Sequence, residues 1–313
     1  MLNFTIRQEE SDQTLISFLK RRFKTTPLSL IYKLFRTKKI KVNGENIRYY
    51  HHRLKAGEQI IIHDNYLKTA VAKTTIFPLS QSKVYFEITY EDPNILIVVK
   101  EHGITMLNLD NDVRHYLAEK DPTEYRRQIE NFFVLTAVHR LDKLTQGLVI
   151  YPKNPMVKKI LYKAISDKNK ITKKYLAFCE KLSRSDLPNY ISGYLEKNDS
   201  EHKMQFSLNP TTSQVKFCAL EVKKLGLKND YQQLEITLHT GRKHQIRSIL
   251  SYFGYPIVGD KKYGSSVVMN NKIGLLAYQL EFNNLPSPLT YLNNRIFAIP
   301  EEEIGYKQRF TNQ

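Results

Sequence analysis

The densest chemistry in the sequence lies in the run His139-Arg140-Leu141-Asp142-Lys143-Leu144-Thr145-Gln146-Gly147-Leu148. Apolar stretches at 132–138 and 147–152 flank it and read as strands, so the polar residues between them must occupy a loop at the edge of a sheet. Asp142 is the one carboxylate there, with Arg140 and Lys143 as neighbouring cations. A carboxylate so placed can attack an electrophile or take up a proton; it can equally do no more than cap the turn.

A second motif runs through 238–264, LHTGRKHQIRSILSYFGYPIVGDKKYG. Gly241 marks a strand-to-helix turn, and a helix over 242–253 would project Arg242, Lys243, His244 and Arg247 from its polar side. His239 and His244 straddle the turn with no third ligand or carboxylate motif beside them, which argues for packing or a binding contact and against a metal site. Arg247 carries a planar fork suited to a bidentate carboxylate partner, or to an ordinary surface ion pair. The His-Arg start of the first motif also invites comparison with a protein-kinase catalytic loop. That reading fails, because Leu141 separates Arg140 from Asp142 and the chain has neither a Gly-rich phosphate loop nor an Asp-Phe-Gly partner.

These motifs sit in a chain of 313 residues, enough for one large domain or two unequal ones. Lys+Arg 48 against Asp+Glu 31 gives a net charge of +17, which attracts polyanions, whether nucleic acid or an anionic membrane surface. Apolar runs such as 95–99 are far too short to span a bilayer, no signal segment or lipidation motif is evident, and Cys179 and Cys218 suit neither a disulfide framework nor a zinc site. Beyond residue 85 the pattern predicts strands at 86–90, 94–100, 134–138, 147–151, 174–179, 214–222 and 231–238, with helices at 156–167 and 242–253. Strands and helices do not alternate strictly, which favours an α+β domain built on a mixed, largely antiparallel sheet.

The first quarter is different. Residues 1–75 hold 15 Lys/Arg against 6 Asp/Glu. Ser11 or Asp12 can cap a helix with Leu15, Ile16, Leu19 and Phe23 on one side, and Thr26-Pro27 starts a second with Leu28, Ile31, Leu34 and Phe35 as its stripe. A strand at 40–42, the turn Asn43-Gly44 and a strand at 59–63 complete a small α/β unit. Arg21, Arg22, Lys24, Arg36, Lys38 and Lys39 crowd the ends and outer faces of the helices and are candidate RNA contacts. Two helices, a basic turn and IKVNGENI, over about 11–63, resemble the RNA-binding domain named after small-subunit ribosomal protein S-four, the αL motif.

Taken together, His-Arg-Leu-Asp-x-x-Thr-x-Gly-Leu, then Lys173-Lys174-Tyr175, then Gly-Arg-x-His-Gln-Ile-Arg with Gly-x-Pro-Ile-x-Gly-Asp-x-x-Tyr-Gly resemble the RluA/RluD family of pseudouridine synthases, in the right order, over about 90–282. The resemblance implies roles. Asp142 matches the family's catalytic aspartate, Arg140 the arginine that fills the space left by the flipped base, Tyr175 the tyrosine that packs on the uracil, and Arg247 the arginine that pairs with the catalytic carboxylate. Arg242 and His244 are expected to contact RNA. The implied reaction isomerises uridine to pseudouridine with no cofactor or metal, Asp142 either attacking the nucleotide or removing a proton from its sugar. The expected partner is RNA, ribosomal large-subunit or transfer RNA, with no membrane and no obligate protein partner; the expected location is cytoplasmic. A non-catalytic RNA-binding protein on the same fold is the alternative. The expected division is an RNA-binding domain at 1–75, a linker at 76–85, a catalytic domain at 86–300 and a tail at 301–313. The chain departs from the family's usual pattern at Glu101, His102, Leu107-Asn108, Gln146, Ile249 and Leu276, none of which is the proposed nucleophile or Arg247; altered substrate choice, with activity kept, is the expectation.

Overall fold

Six consecutive residues without polar alternation, Ile95–Lys100, need cover on both faces, and the computed structural model buries all six inside a large sheet. The structure describes residues 1–23, 26–64, 86–130, 133–182, 186–228, 231–270 and 272–300. Lys24, the expected linker and the expected tail lie outside them. The chain divides into two compact units, residues 1–82 with 117–134, and residues 83–116 with 135–313. Residues 117–134 thus count with the first unit, whereas the division expected from sequence places them in the larger domain.

In the first unit, β1 (Leu2–Thr5) precedes α1 (Leu15–Arg22), α2 (Leu28–Arg36), β2 (Ile40–Val42), β3 (Glu45–Asn46) and β4 (Gln59–Ile62). The strands form an antiparallel sheet in the order β1-β4-β2-β3. Asn43 and Gly44 both take positive φ, 50° and 86°, as a two-residue hairpin turn requires. The cap of α1 is Thr14, whose Oγ1 accepts from the Ser17 amide at 3.3 Å, and not Ser11 or Asp12. Leu15, Ile16, Leu19 and Phe23 of the first stripe and Ile31, Leu34 and Phe35 of the second close on one core with Ile40, Ile60 and Ile62, whereas Leu28, expected in the second stripe, is exposed. Arg22 joins that core, which corrects its assignment as an RNA contact. It lies four residues after Phe18 and so on the same face; its Nη2 meets Glu10 Oε1 at 2.7 Å, and its guanidinium stands 4.5 and 4.4 Å from the ring centres of Phe4 and Phe18. Lys39 pairs with Asp64 at 2.9 Å, whereas Arg21, Arg36 and Lys38 are exposed.

The chain continues through β5 (Phe86–Glu91), β6 (Ile95–Lys100), α3 (Met106–Lys120), α4 (Pro122–Glu130), β7 (Gln146–Pro152), α5 (Pro155–Ala164), β8 (Ile171–Cys179), β9 (Tyr190–Asn198), β10 (Lys203–Ser207), β11 (Lys216–Lys228), β12 (Tyr231–Leu238), α6 (Gln245–Tyr252), β13 (Leu275–Phe282) and β14 (Arg295–Ala298). One sheet runs β10-β9-β11-β12-β8-β13-β7-β6-β5, with β14 on β13. Only the β13–β7 pairing is parallel among the described strands, so the sheet is mixed and largely antiparallel, as expected of the α+β class. Helix α5, capped by Asn154 with Pro155 at its start, shares a core with Ile95, Ile97, Leu148 and Ile150 through Val157, Leu161 and Ala164.

Two expectations are corrected. Residues 134–138 form no strand; they run as a loop in which the Val138 amide donates to Ile150 O. The Asp142 loop therefore feeds the start of β7, an interior strand between β13 and β6, and not a sheet edge. Gly147 makes the entry possible: its φ is 135°, and a side chain there would collide with the Ala277 backbone. Among the described residues no helix is long and apolar enough to cross a membrane.

Candidate active site

The Asp142 loop is held from below by residues 100–104. Lys100 is fully buried, and its ammonium donates to three carbonyls, of Glu101 at 2.8 Å, Ile104 at 3.0 Å and Lys143 at 3.2 Å. Burial pushes this amine down to about 8, against the pull of Asp142 and Glu101. The Gly103 amide also donates to Lys143 O, and His102 Nδ1 lies 2.6 Å from Leu144 O. Gln146 Nε2 reaches both oxygens of Glu101, at 3.1 and 3.2 Å. Three positions that depart from the family pattern, Glu101, His102 and Gln146, thus form a brace under the Asp142 loop. Leu276 sits opposite Gln146 in the β13–β7 register.

Above that loop lies an open cleft lined among others by Arg140, Asp142, Tyr175, Arg242, His244 and Arg247. All six are sequence candidates, and the fold brings them together from the 139–145 loop, β8, the turn into α6 and the first turn of α6 itself. The helix begins at Gln245, later than expected, so Arg242 to His244 belong to the turn. Gln245 ties this turn down: its Oε1 accepts from Thr240 Oγ1 at 2.8 Å and from the Arg242 amide at 3.0 Å, while its Nε2 donates to Ala219 O.

Arg247 does not lie on a polar face; it is buried. Its fork grips Asp260, Nε to Oδ2 at 2.6 Å and Nη2 to Oδ1 at 2.9 Å, leaving Nη1 at 3.5 Å from Asp142 Oδ2. Burial works against the guanidinium's charge, but the bonds and charge of Asp260, with Asp142 behind them, outweigh it and raise its pKa. The bidentate partner foreseen for Arg247 is therefore Asp260, and Asp142 takes the remaining nitrogen. Asp260 escapes a sequence reading although it stands in the Gly-Asp-x-x-Tyr-Gly motif; the usable signal is that a buried arginine demands a buried carboxylate.

Tyr175 is buried, and its phenol is pushed well above its ordinary value by burial and then by Asp142. It contributes a neutral ring, not a charge. Arg140, at the mouth, is exposed and makes no hydrogen bond or ion pair among the described residues, so its guanidinium can move without breaking either kind of bond. Arg242 is exposed and donates through Nε to Phe217 O at 3.2 Å. His244 is mostly covered; its Nδ1 lies 2.9 Å from Tyr263 Oη and its Nε2 3.8 Å from Asp142 Oδ2. Burial lowers its pKa to about 4, against the attraction of Asp142. His239 pairs with Glu221 at 2.7 Å and joins no cluster of three potential metal ligands among the described residues.

His139, which opens the loop, carries a pH consequence. Its Nε2 accepts from the Ile150 amide at 3.2 Å, its Nδ1 is buried without a partner among the described residues, and burial, then Lys173, lowers its pKa from 6.5 to about 3. Between those values the unfolded chain binds a proton that the folded one refuses, so stability is full above 6.5 and is lost as pH falls. Moving from pH 7 to pH 5 is expected to cost about 2 kcal/mol at this residue alone. Urea denaturation at both pH values checks it, with His139→Gln expected to show the shallower dependence.

Residues 94–252 match the family model described as RNA pseudouridylate synthase. An uncharacterized RNA pseudouridine synthase of Mycoplasma capricolum subsp. capricolum is 38% identical over 302 residues, 95% of this chain and 96% of the relative. A ribosomal large subunit pseudouridine synthase C of Buchnera aphidicola subsp. Acyrthosiphon pisum is 31% identical over 280 residues, 87% of this chain and 85% of the relative. Among solved structures, human RNA pseudouridylate synthase domain containing 1 aligns with a TM-score of 0.49 at 20% identity, over 74% of this chain and 97% of that one.

Proposed function

The chain belongs to the RNA pseudouridine synthase family of isomerases, and from that premise we propose that Asp142 is its catalytic carboxylate and ribosomal large-subunit RNA its substrate. The observation that carries the site is the position of Asp142: its carboxylate stands in an open cleft with Oδ2 against the buried Arg247, across from the neutral ring of Tyr175. Turning uridine into pseudouridine breaks the glycosidic bond, rotates the base and rejoins the sugar to carbon 5. The uridine must leave its stack first, at a cost on the order of a few kcal/mol. Arg140, unbonded at the mouth, fills the vacated space; Tyr175 packs on the uracil; Asp142 acts on the exposed nucleotide. Arg242 and Lys243, exposed at the rim, meet the phosphates.

The choice of ribosomal over transfer RNA rests on the Buchnera relative, whose name specifies the ribosomal large subunit. The test is to incubate the protein with unmodified ribosomal and transfer RNA and map the new pseudouridine. Sites in large-subunit RNA are expected; sites confined to transfer RNA overturn the assignment. A cytoplasmic location accompanies this substrate and suits two cysteines that are both free and buried.

The first unit is read as the RNA grip, an S-four-type domain, on the strength of its two helices and the exposed Arg21, Arg36 and Lys38. Replacing these three by alanine is expected to weaken RNA binding and to lower the salt slope by roughly 2–3, at about 0.7–0.9 for each phosphate that is no longer neutralised. Binding measured across a salt series checks this, and an unchanged slope removes the first unit from the interface. Arg22→Ala is expected instead to destabilise the unit, because it empties a core ion pair.

A further inference from the structure

The cleft treats the two oxygens of Asp142 differently. Arg247 Nη1 and His244 Nε2 both make their closest approach to Oδ2, at 3.5 and 3.8 Å. Among the described residues no hydrogen bond reaches Oδ1.

His244 is itself held in a defined way. The Met204 amide donates to Tyr263 Oη at 2.9 Å, so that hydroxyl already has a donor, and its own proton is free to go to His244 Nδ1, also 2.9 Å away. A neutral imidazole that accepts at Nδ1 must carry its hydrogen on Nε2, the nitrogen facing Asp142. Burial keeps this ring neutral around pH 7. The backbone adds to the definition: His244 takes φ 52°, the left-handed region, in the turn that Gln245 ties down. Tyr263 and Asp260 belong to one short segment, the 3-10 turn Lys261–Tyr263 and the residue before it. That segment orients both groups that address Oδ2, Arg247 through Asp260 and His244 through Tyr263.

We propose that His244 is a positioning residue for Asp142, its Nε2–H pairing with Arg247 to occupy Oδ2, so that Oδ1 is the oxygen presented to the target nucleotide. This rests on the reading of Asp142 as the catalytic carboxylate. It replaces the RNA-contact role that the sequence suggests for His244, whose side chain is only 12% exposed. At 3.8 Å the donor is too far for a full hydrogen bond, but such contacts are often long in a free enzyme and tighten with substrate bound.

The test uses the full-length protein with an RNA it modifies and reads kcat, KM and RNA affinity. The variants are His244→Ala, His244→Gln, Tyr263→Phe and the double substitution that combines His244→Ala with Tyr263→Phe, beside Asp142→Ala. His244→Ala is expected to lower kcat about ten-fold or more with KM and affinity unchanged, the size of effect that small misplacements of reacting groups produce. His244→Gln should recover most of the loss, since its amide can set an N–H where Nε2 stood, and it bears the same left-handed backbone cost as alanine. Tyr263→Phe should lower kcat in the wild-type background and add nothing once His244 is alanine, the non-additivity of residues acting through one another. An unchanged kcat in His244→Ala, or a rise in KM with kcat kept, overturns the proposal and returns His244 to the RNA interface. If His244→Ala folds poorly, Tyr263→Phe decides alone: an unchanged kcat refutes the coupling. Activity surviving in Asp142→Ala is a separate failure, of the Asp142 reading itself.

Discussion

Replacing Asp142 with asparagine is expected to abolish pseudouridine formation, by at least about 10³-fold, while leaving the protein folded. The two halves of that expectation have different causes. Asparagine keeps the shape of the side chain, and an amide oxygen can still face Arg247, so packing in the cleft is preserved. What disappears is the anion, and with it either attack on the nucleotide or removal of a proton from its sugar. The stability cost is small because Asp142 is not what neutralises Arg247: the two approach only to 3.5 Å, while Asp260 makes two bonds at 2.6 and 2.9 Å. A change of less than about 1 kcal/mol in urea denaturation is expected. Mapping pseudouridine on an RNA that the wild type modifies, beside the denaturation curve, checks both halves. Residual activity near wild type would remove Asp142 from the chemistry.

The second large effect belongs to Arg247, and its pattern is the converse. Arg247→Ala leaves Asp260, 1% exposed, as a buried carboxylate without its counter-ion. Breaking one side of a buried pair costs about 3–5 kcal/mol, since the remaining charge stays desolvated and unpaired. The same substitution strips Oδ2 of Asp142 of its cation, so activity falls with stability. Arg247→Lys does not rescue it, because a single ammonium cannot reproduce the fork that spans both oxygens of Asp260. Arg247→Ala and Asp142→Asn therefore separate the roles of two residues that touch: the first is expected to lose fold and function together, the second function alone. Denaturation midpoints measured beside activity check this. An Arg247→Ala protein of wild-type stability would show that the Asp260 pair contributes little to the fold.

The residues of the cleft are legible in the sequence as types and spacings. Asp142 between Arg140 and Lys143 and Arg247 after Gly241 can be picked out because short-range pattern determines turns, strand ends and helix starts, whereas Tyr175 stands out only through the family resemblance. For the same reason the two N-terminal helices stand within two or three residues of their expected places, and the mixed sheet follows from strands that do not alternate with helices. Partners far apart in the chain are not legible. Nothing in local spacing says that Arg247 closes on Asp260, that Glu10 is the partner Arg22 finds, or that Glu101 and Gln146 bond across 45 residues. Nor does it say that residues 134–138, apolar and strand-like, run as a loop while β7 sits inside the sheet. Those outcomes depend on which charge can find a counter-ion once both are removed from water, and which apolar face is covered by another element. Both are properties of the assembled core. Local pattern therefore selects the residues able to do the chemistry, and folding settles which oxygen of Asp142 is held, by what, and which is left open.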